Sequence, residues 1–392
     1  MKSKRLAIVT THPIQYNAPL FKLLQQRGNI AIRVFYTWGS SVLENKYDPG
    51  FGKSIKWDIP LLEGYDHVFE KNIAAHPGSY HYKGIDNPEL IGHIEEWNAD
   101  AVLVYGWSFK SHFRCLRYFH KKIPVYFRGD STLLDEKKGF SLRKTFRRIF
   151  LKWVFSHVDK AFYVGIENNK YLLAHGMLND QLIFAPHAID NERFGVPDSI
   201  YQQKAILWKQ SLQIPKNAYV FLFAGKLENK KNPILLLEAF MEIENPDQRL
   251  IILGNGPLEN HLKKISENDS RVIFINFQNQ LQMPVVYRLA DVFVLPSQGP
   301  GETWGLAVNE AMACGRPVII SDRCGVKADL VNHETGWVFE SGNQSELKKA
   351  LEICIHDPRQ RNNKGIAARE HIKKYSYLEV VKSIEQLIHS II

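Results

Sequence analysis

Two glutamates eight residues apart are the side chains of this sequence best suited to bind a polyhydroxylated ligand. Glu302 follows a loop with two glycines and a proline, and Glu310 lies two turns along a helix predicted to start near Thr303. Eight helical residues rise roughly 12 Å, about the reach of a sugar diphosphate. Glu302 would accept hydrogen bonds from sugar hydroxyls and Glu310 from ribose hydroxyls. The alternative is a helix start that favours one glutamate, with a second, solvated glutamate on its exposed face.

The predicted helix start also offers a site for an anion. The first peptide NH groups of a helix have no partner within it, and the helix dipole is positive at that end. Anions such as phosphate bind well at this position. The backbone groups involved would be those of Gly301, Thr303, Trp304, Gly305 and Leu306.

Two short apolar runs flank this segment and must position it. Asp291–Ser297 and Pro317–Ser321 are rich in Val, Ile and Phe, which is typical of buried strands. Gly315 ends the helix between them. A strand, loop, helix and strand in this order predict two parallel strands.

Length and composition indicate an ordinary globular protein with two domains. The chain has 392 residues, of which 45% are hydrophobic and 23% charged. No run approaches the ~18 apolar residues of a membrane span, and the apolar run after MKSKR is a first strand rather than a signal peptide. The four cysteines (Cys115, Cys314, Cys324 and Cys354) have no paired spacing. We therefore expect no zinc or disulfide framework and a cytoplasmic location.

Apolar runs alternate with helical segments through both halves of the chain, which predicts α/β architecture with parallel sheets. In the first half the predicted strands are Leu6–Thr10, Ala31–Tyr36, Ala101–Tyr105, Pro124–Phe127, Ala161–Val164 and Leu182–Ala185. In the second half they are Tyr219–Ala224, Leu250–Leu253, Val272–Phe277, Val292–Leu295, Val318–Ser321 and Trp337–Phe339. The predicted divisions are a first domain at 1–190, a linker at 191–217, a second domain at 218–375 and a terminal helix at 376–392. The stretch 38–82 has no clear period and is predicted to be an insertion at the edge of the first sheet.

The segment PSQGPGETWGLAVNEAMACGRPVIISD resembles the donor-site motif of glycosyltransferase family 4, the group 1 family of retaining enzymes. The resemblance implies a GT-B fold, with two facing doubly wound Rossmann-like domains and the active site in the cleft between them. It implies transfer of a hexosyl unit from a UDP- or GDP-linked sugar to a hydroxyl of a glycan or lipid-linked glycan, in cell-surface polysaccharide or glycoconjugate synthesis. Neither a cofactor nor a metal ion is expected. The terminal helix would return to the first, acceptor-binding domain.

The resemblance also implies a set of donor-binding residues. Lys226 and Lys231 would bind the diphosphate, although the family usually has Arg at the first position, and a Lys lacks the bidentate fork of Arg. Stabilisation of the departing diphosphate by fixed cations needs no metal. The remaining donor contacts would come from loops at the ends of strands, namely Gly225, Gly254, Gly256 and Phe277.

Polar residues after two strands of the first domain are candidate site residues, those after the first strand for binding the acceptor and those after the second strand for catalysis. His12, Gln15, Tyr16 and Asn17 follow the first strand, where many members of the family have a pair of glycines. Strand-end loops of this fold commonly bind ligands. Arg128 and Asp130 follow the strand Pro124–Phe127, where related enzymes often carry a His. They would bind phosphate and a sugar hydroxyl respectively, or form a salt bridge that caps a turn.

A net charge of +9 favours acidic partners, and part of the positive charge is concentrated between Ser141 and His157. Apolar residues follow helical spacing there, while basic residues are predicted on the opposite side. Such a helix can lie on an anionic membrane at the inner face of the cell membrane, or it can pack into the core with a solvated basic face. We expect no nucleic-acid partner.

Two other functions remain compatible with the sequence. A nucleotide-sugar epimerase or hydrolase could use the same fold and donor site. A non-catalytic sugar-binding partner subunit is the second alternative, suggested by the departures at Lys226 and Arg128. A nicotinamide-dependent dehydrogenase is disfavoured, because no Gly-x-Gly-x-x-Gly follows the first strand.

Overall fold

A computed structural model describes residues 3–39, 46–48, 51, 53–136, 139, 141–195 and 199–391. The chain forms two compact units. The first contains Met1–Lys46, Pro60–His187 and Tyr377–Ile392, and the second contains Tyr47–Ile59 and Ala188–Ser376. The last helix therefore belongs to the first unit, and a short segment from the first half of the chain belongs to the second.

The strands form one parallel sheet in each unit and a separate two-stranded sheet. In chain order they are β1 (Arg5–Thr10), β2 (Ala31–Tyr36), β3 (Lys46–Asp48), β4 (Lys53–Ile55), β5 (His67–Phe69), β6 (Ala101–Tyr105), β7 (Val125–Arg128), β8 (Lys160–Tyr163), β9 (Leu182–Phe184), β10 (Tyr219–Ala224), β11 (Gln248–Leu253), β12 (Val272–Ile275), β13 (Val292–Leu295), β14 (Val318–Ser321) and β15 (Gly336–Phe339). The strand orders are β5-β2-β1-β6-β7-β8-β9 in the first unit and β12-β11-β10-β13-β14-β15 in the second, and β3 pairs with β4.

Helices connect these strands. They are α1 (Ala18–Arg27), α2 (Leu90–Glu96), α3 (Lys110–Phe119), α4 (Leu142–Phe155), α5 (Ile166–Ala174), α6 (Asn191–Gly195), α7 (Ser199–Ser211), α8 (Pro233–Met241), α9 (Glu259–Ile265), α10 (Met283–Arg288), α11 (Leu306–Ala313), α12 (Lys327–Leu330), α13 (Gln344–His356), α14 (Pro358–His371) and α15 (Tyr377–His389). The segment predicted as a linker contains α6 and α7, while its residues 196–198 lie outside the described part of the chain.

Consecutive strand residues are buried on both faces of the first sheet. Ala7 and Val9 belong to one core with residues of α2 to α5. Leu6 and Ile8, which alternate with them along the strand, are also fully buried. Successive side chains of a strand point to opposite faces, so both faces of the sheet are covered. Continuous apolar runs therefore marked these strands in the sequence, and the prediction of two doubly wound α/β domains is confirmed.

The stretch 38–82 is more regular than its sequence suggests. It contains β5, which pairs with β2 at the edge of the first sheet, as well as β3 and β4. The sequence predicted an insertion at the edge of the first sheet but did not predict these three short strands within it. A three-residue edge strand has too few side chains to display a period. Residues 40–45, 49, 50 and 52 of this stretch lie outside the described residues.

Candidate functional site

The loop before α11 has a different shape from the one that the sequence predicted. The helix begins at Leu306 instead of Thr303, because Gly305 takes a left-handed conformation with φ 113°. The NH groups of Thr303 and Trp304 therefore lie outside the helix. The Trp304 indole is buried and donates to the side chain of Asn309 at 2.9 Å, which fixes the loop against the helix that follows it.

Glu302 forms a buried ion pair with Lys231. The Lys231 Nζ and Glu302 Oε2 atoms are 2.5 Å apart, and both side chains are largely shielded from solvent. The hydroxyl of buried Ser297 donates to the same carboxylate oxygen at 2.9 Å. The structure thus brings together two residues that the sequence had assigned to different parts of a donor, one to the sugar and one to the diphosphate. Ser297 is a partner that the sequence analysis missed.

Two further hydrogen bonds hold the loops that carry this pair. Lys231 ends the 3-10 turn Asn229–Lys231, which follows β10. Gln298, just after β13, donates from its backbone to the Lys230 carbonyl at 2.9 Å and from its side chain to the Asn229 carbonyl at 2.8 Å. Because β10 and β13 are adjacent and parallel, their carboxyl ends lie at one edge of the sheet, where open α/β sheets bind ligands.

Glu310 is buried and hydrogen-bonded, which rules out the solvated-glutamate alternative. The Tyr287 hydroxyl donates to Glu310 Oε2 at 2.7 Å, and both residues are buried. Tyr287 lies on α10, and its ring packs edge-on against Phe293 of β13 at 5.6 Å between centroids. This partner could not be predicted, because nothing in the sequence pattern of α10 distinguishes Tyr287 from a core residue.

The glycine-containing loops after β10 and β11 are in direct backbone contact. A Cβ atom built on Gly254 would lie 1.9 Å from the Gly225 carbonyl oxygen, and one on Gly256 would lie 2.6 Å from the Leu227 carbonyl oxygen. Only glycine allows this approach. Asn255, which the sequence analysis passed over, accepts from the Phe277 NH at 3.0 Å. The loop residues predicted to bind the donor therefore lie together.

The segment at 47–59 contacts this group of loops. The ring of Phe51 packs against Phe277 with centroids 4.8 Å apart, and the Lys226 Nζ lies 5.0 Å from the Phe51 centroid. Asn279 donates to the Lys56 carbonyl at 2.6 Å. An aromatic side chain from the first half of the chain thus lies beside two residues predicted to bind the donor. In the described residues, no group of three or more His, Cys, Asp or Glu side chains could hold a metal ion.

In the first unit, the predicted acceptor residues occupy the turn between β1 and α1. His12, Gln15, Tyr16 and Asn17 are all partly exposed there. The imidazole of His12 packs edge-on against Trp38, with centroids 5.2 Å apart, and its Nδ1 lies 2.9 Å from the Thr11 hydroxyl. The turn lies at the carboxyl edge of the sheet, as predicted.

Arg128 has partners that the sequence did not suggest. Its buried guanidinium donates to the carbonyls of Ala185 at 2.7 Å and Pro186 at 3.0 Å. Burial lowers the pKa of Arg128 from its ordinary value, although the neighbouring Tyr105 and Asp130 act in the opposite direction. The carboxylate of Asp130 lies beside the imidazole of His187, with 3.8 Å between Oδ2 and Nε2.

The helix α4 exposes a row of large apolar side chains. Leu142, Phe146, Ile149, Phe150 and Trp153 are between 45% and 70% exposed, whereas Leu151, Val154 and Phe155 face the core. The alternative in which the exposed apolar side chains of this helix pack into the core is therefore wrong. At 3.6 residues per turn, the basic residues lie on the side of the helix away from the exposed row, roughly 80° to 180° round the axis from its middle. They are Arg143, Lys144, Arg147, Arg148 and Lys152. No helix among the described residues is both long enough and apolar enough to cross a membrane.

Comparison with known proteins shows a sequence similarity between the second half of the chain and one family. Residues 205–371 match the model of the family described as glycosyl transferases group 1. The UDP-Gal:alpha-D-GlcNAc-diphosphoundecaprenol alpha-1,3-galactosyltransferase of Escherichia coli is 32% identical over 210 residues, which are 52% of this chain and 51% of that enzyme. The sulfoquinovosyl transferase SQD2 of Arabidopsis thaliana is 33% identical over 264 residues, 66% of this chain and 48% of that enzyme.

The fold is shared over a longer range than the sequence. HepE of Anabaena, solved in complex with UDP, superposes with a TM-score of 0.72 at 15% identity, covering 99% of this chain and all of that one. The chain spans about half the length of the curated relatives that it matches. Residues 205–371 therefore resemble the glycosyl transferases group 1 family in sequence, and the chain has the two-domain α/β fold of the GT-B glycosyltransferases.

Proposed function

We propose that the protein is a retaining glycosyltransferase of family 4. It transfers a hexosyl unit from a UDP- or GDP-linked sugar to a hydroxyl of a glycan or lipid-linked glycan, in the synthesis of a cell-surface polysaccharide or glycoconjugate. Retention is supported by the resemblance of the segment at 296–322 to that family. The nucleotide and the acceptor class are supported by the relatives: HepE is solved with UDP, and the name of the E. coli enzyme specifies UDP-Gal and a diphosphoundecaprenol acceptor.

The observation that carries this proposal is the ion pair between Lys231 and Glu302. When the bond between a sugar and a diphosphate breaks, positive charge develops on the sugar ring and negative charge on the departing phosphate. A cation and an anion 2.5 Å apart match this separation of charge. Glu302 is buried and Lys231 is largely shielded from solvent, and electrostatic interactions are stronger where water is excluded. Lys231 would stabilise the diphosphate and Glu302 the sugar.

Other residues of the second unit would hold the nucleotide. Glu310 would accept from the ribose hydroxyls, and Lys226 would add a second cation for the diphosphate. The base would lie near Phe277, whose NH group is fixed by Asn255. Because two lysines supply positive charge, we propose that no metal ion takes part.

A screen of donors by thermal shift tests this proposal. A ligand that binds only the folded state raises the melting temperature by mass action. We expect UDP-hexoses or GDP-mannose to raise the melting temperature. CDP-linked and ADP-linked compounds, which should not raise it, serve as the negative reference. The shift and the transferase activity should be the same in EDTA as in Mg²⁺. No shift with any donor would contradict the proposed function, and a shift that needs Mg²⁺ would contradict the metal-free diphosphate site.

The same assay, coupled to detection of free nucleotide, separates the alternatives. A transferase releases nucleotide when acceptor is added, and a hydrolase releases it without acceptor. An epimerase converts the donor into its sugar epimer with no net release of nucleotide, which analysis of the recovered donor would show. A non-catalytic sugar-binding subunit would bind the donor and release nothing.

Tyr287→Phe is expected to weaken donor binding by about tenfold without lowering turnover at saturating donor. The substitution removes only the hydroxyl that holds Glu310, and a hydrogen bond to a charged group contributes about 1.5–3 kcal/mol. Calorimetry with the nucleoside diphosphate measures the effect. Tyr219→Phe, at a partly buried tyrosine at the start of β10, is the control. Equal affinities in Tyr287→Phe and the parent protein would remove Glu310 from the donor site.

We also propose that α4 binds the inner face of the cell membrane, where a lipid-linked acceptor would reside. The support is its row of exposed apolar side chains, such as Phe146 and Ile149, together with the basic residues on the remaining surface of the same helix, such as Arg147 and Arg148. A helix of this kind lies in the plane of an anionic membrane, with its apolar side inserted between the lipids.

A further inference from the structure

The chain after β9 is fixed by a buried cation. Arg128, the last residue of β7, reaches past β8 and donates to the carbonyls of Ala185 and Pro186. The backbone NH of His187 in turn donates to the Val164 carbonyl at 3.3 Å. Hydrogen bonds from an ionised donor are among the strongest in proteins. The position of His187 is therefore set by the sheet and by Arg128.

The imidazole of His187 and the carboxylate of Asp130 form a pair at this edge of the sheet. Their Nε2 and Oδ2 atoms are 3.8 Å apart, and the exposed fractions of the side chains are 23% for His187 and 52% for Asp130. Burial lowers the pKa of His187, as does the charge of Arg128, while Asp130 raises it. The net effect is a lowered pKa, so the imidazole is neutral at pH 7 and can both donate and accept a hydrogen bond.

A second polar group lies close to the same arginine. Tyr105 ends β6 and is the register partner of Arg128. Within the residues that the structure describes, its buried hydroxyl has no hydrogen-bond partner. Burial raises the pKa of Tyr105, and the charge of Arg128 opposes this shift. A buried unpaired hydroxyl is costly and calls for a specific explanation. Groups with perturbed pKa values concentrate at functional sites.

We propose that the Asp130–His187 pair binds the hydroxyls of the acceptor sugar, with Arg128 as the residue that positions His187. The pair lies beyond the carboxyl ends of β7 and β9, the edge at which open α/β sheets bind ligands. A carboxylate accepts from one sugar hydroxyl, and a neutral imidazole donates to or accepts from its neighbour. The inference rests on the proposed transferase function and adds to it the residues that recognise the acceptor.

NMR of histidine-labelled protein tests the pair without measuring activity. The probes are octyl glycosides of glucose, galactose and N-acetylglucosamine, added below their micelle concentrations. We expect at least one of them to shift the imidazole signals of His187. The signals of His175, a buried histidine just after α5, should stay unchanged and serve as the internal reference. Asp130→Asn should lower the pKa of His187 further, because the carboxylate favours the charged imidazole. An unchanged pKa in Asp130→Asn, or no response of His187 to any glycoside, would refute the proposal.

Kinetics with the responding glycoside give the second test. His187→Gln and Asp130→Asn should each raise the KM for the acceptor by about tenfold, as expected when a hydrogen bond to the ligand is lost. The KM for the donor should change by less than about twofold. The rise in the acceptor KM of the double variant should be smaller than the product of the two single rises, because the effects of substitutions at contacting residues are coupled. Equal rises in both KM values would overturn the acceptor assignment. Donor binding in the thermal-shift screen does not depend on this pair, so failure here is distinguishable from failure of the proposed function.

Discussion

Glutamine in place of Glu302 is expected to lower turnover by about 10²-fold or more, as happens when other preorganised electrostatic groups are lost. The substitution keeps the size of the side chain and leaves an oxygen to accept from Ser297, but it removes the negative charge. The sugar ring then loses its counter-charge in the transition state. The affinity for nucleotide should change little, because Lys226, Glu310 and the loops near Phe277 are untouched. Rates at saturating donor, with affinities measured separately, distinguish these effects.

The same substitution leaves Lys231 as a shielded cation without its carboxylate partner. Removing one partner of a buried ion pair is strongly destabilising, so a loss of activity could reflect a loss of fold. The double variant Lys231→Met with Glu302→Gln removes both charges and should recover most of the melting temperature. Its turnover should nevertheless stay low, because neither charge of the reacting bond is then stabilised.

Glu370→Gln is the matched control. Glu370 forms an exposed ion pair with Lys373 in the same unit, and such pairs contribute little to stability. It should leave both turnover and melting temperature near those of the parent protein. Near-normal turnover in Glu302→Gln, or full turnover in the stable double variant, would make the Lys231–Glu302 pair a structural feature and remove the main support for the proposed function.

The sequence located the strands and the loops of this site because buried parallel strands are continuous apolar runs. Tyr219–Ala224 and Val318–Ser321, for example, have the same bounds in the structure as in the prediction. The glycines at Gly254 and Gly256 could also be recognised, because close approach of two backbones demands them. The strands and the glycine-containing turns can be recognised in the sequence because each is marked by residues close together in the chain.

The partners of the predicted residues could not be found in this way. Tyr287 meets Glu310 and Asp130 meets His187 only after the chain has folded, and nothing in the local pattern of Tyr287 or His187 indicates a role. The start of α11 was misplaced for a related reason. Gly305 can take a left-handed conformation, and whether it does so depends on the packing of Trp304, which the sequence does not reveal.

Reversing two charges on α4 should release the protein from anionic membranes. We expect the parent protein to sediment with vesicles of phosphatidylcholine and phosphatidylglycerol and to detach as the salt concentration rises, because salt screens surface charge. Each basic residue near such a surface contributes about 1 kcal/mol. Arg147→Glu with Arg148→Glu removes two attractions and adds two repulsions, so binding should weaken by at least about 10²-fold. Arg359→Glu with Lys349→Glu, two exposed residues of the second unit, changes the net charge equally and should leave binding almost unaltered.

A second variant of α4 separates insertion of the apolar row from attraction by charge alone. Phe146→Ser with Ile149→Ser keeps every basic residue and removes two of the most exposed apolar side chains. If the row enters the lipid, this variant should lose binding even at low salt, because burial of a large apolar side chain contributes about 1.5–3 kcal/mol. Retained binding would mean that charge alone holds the protein at the surface, with the apolar row outside the membrane. Sedimentation of the parent protein that ignores both phosphatidylglycerol content and salt would contradict the membrane role of α4 altogether, since a helix that carries five basic residues cannot bind an anionic surface without responding to its charge.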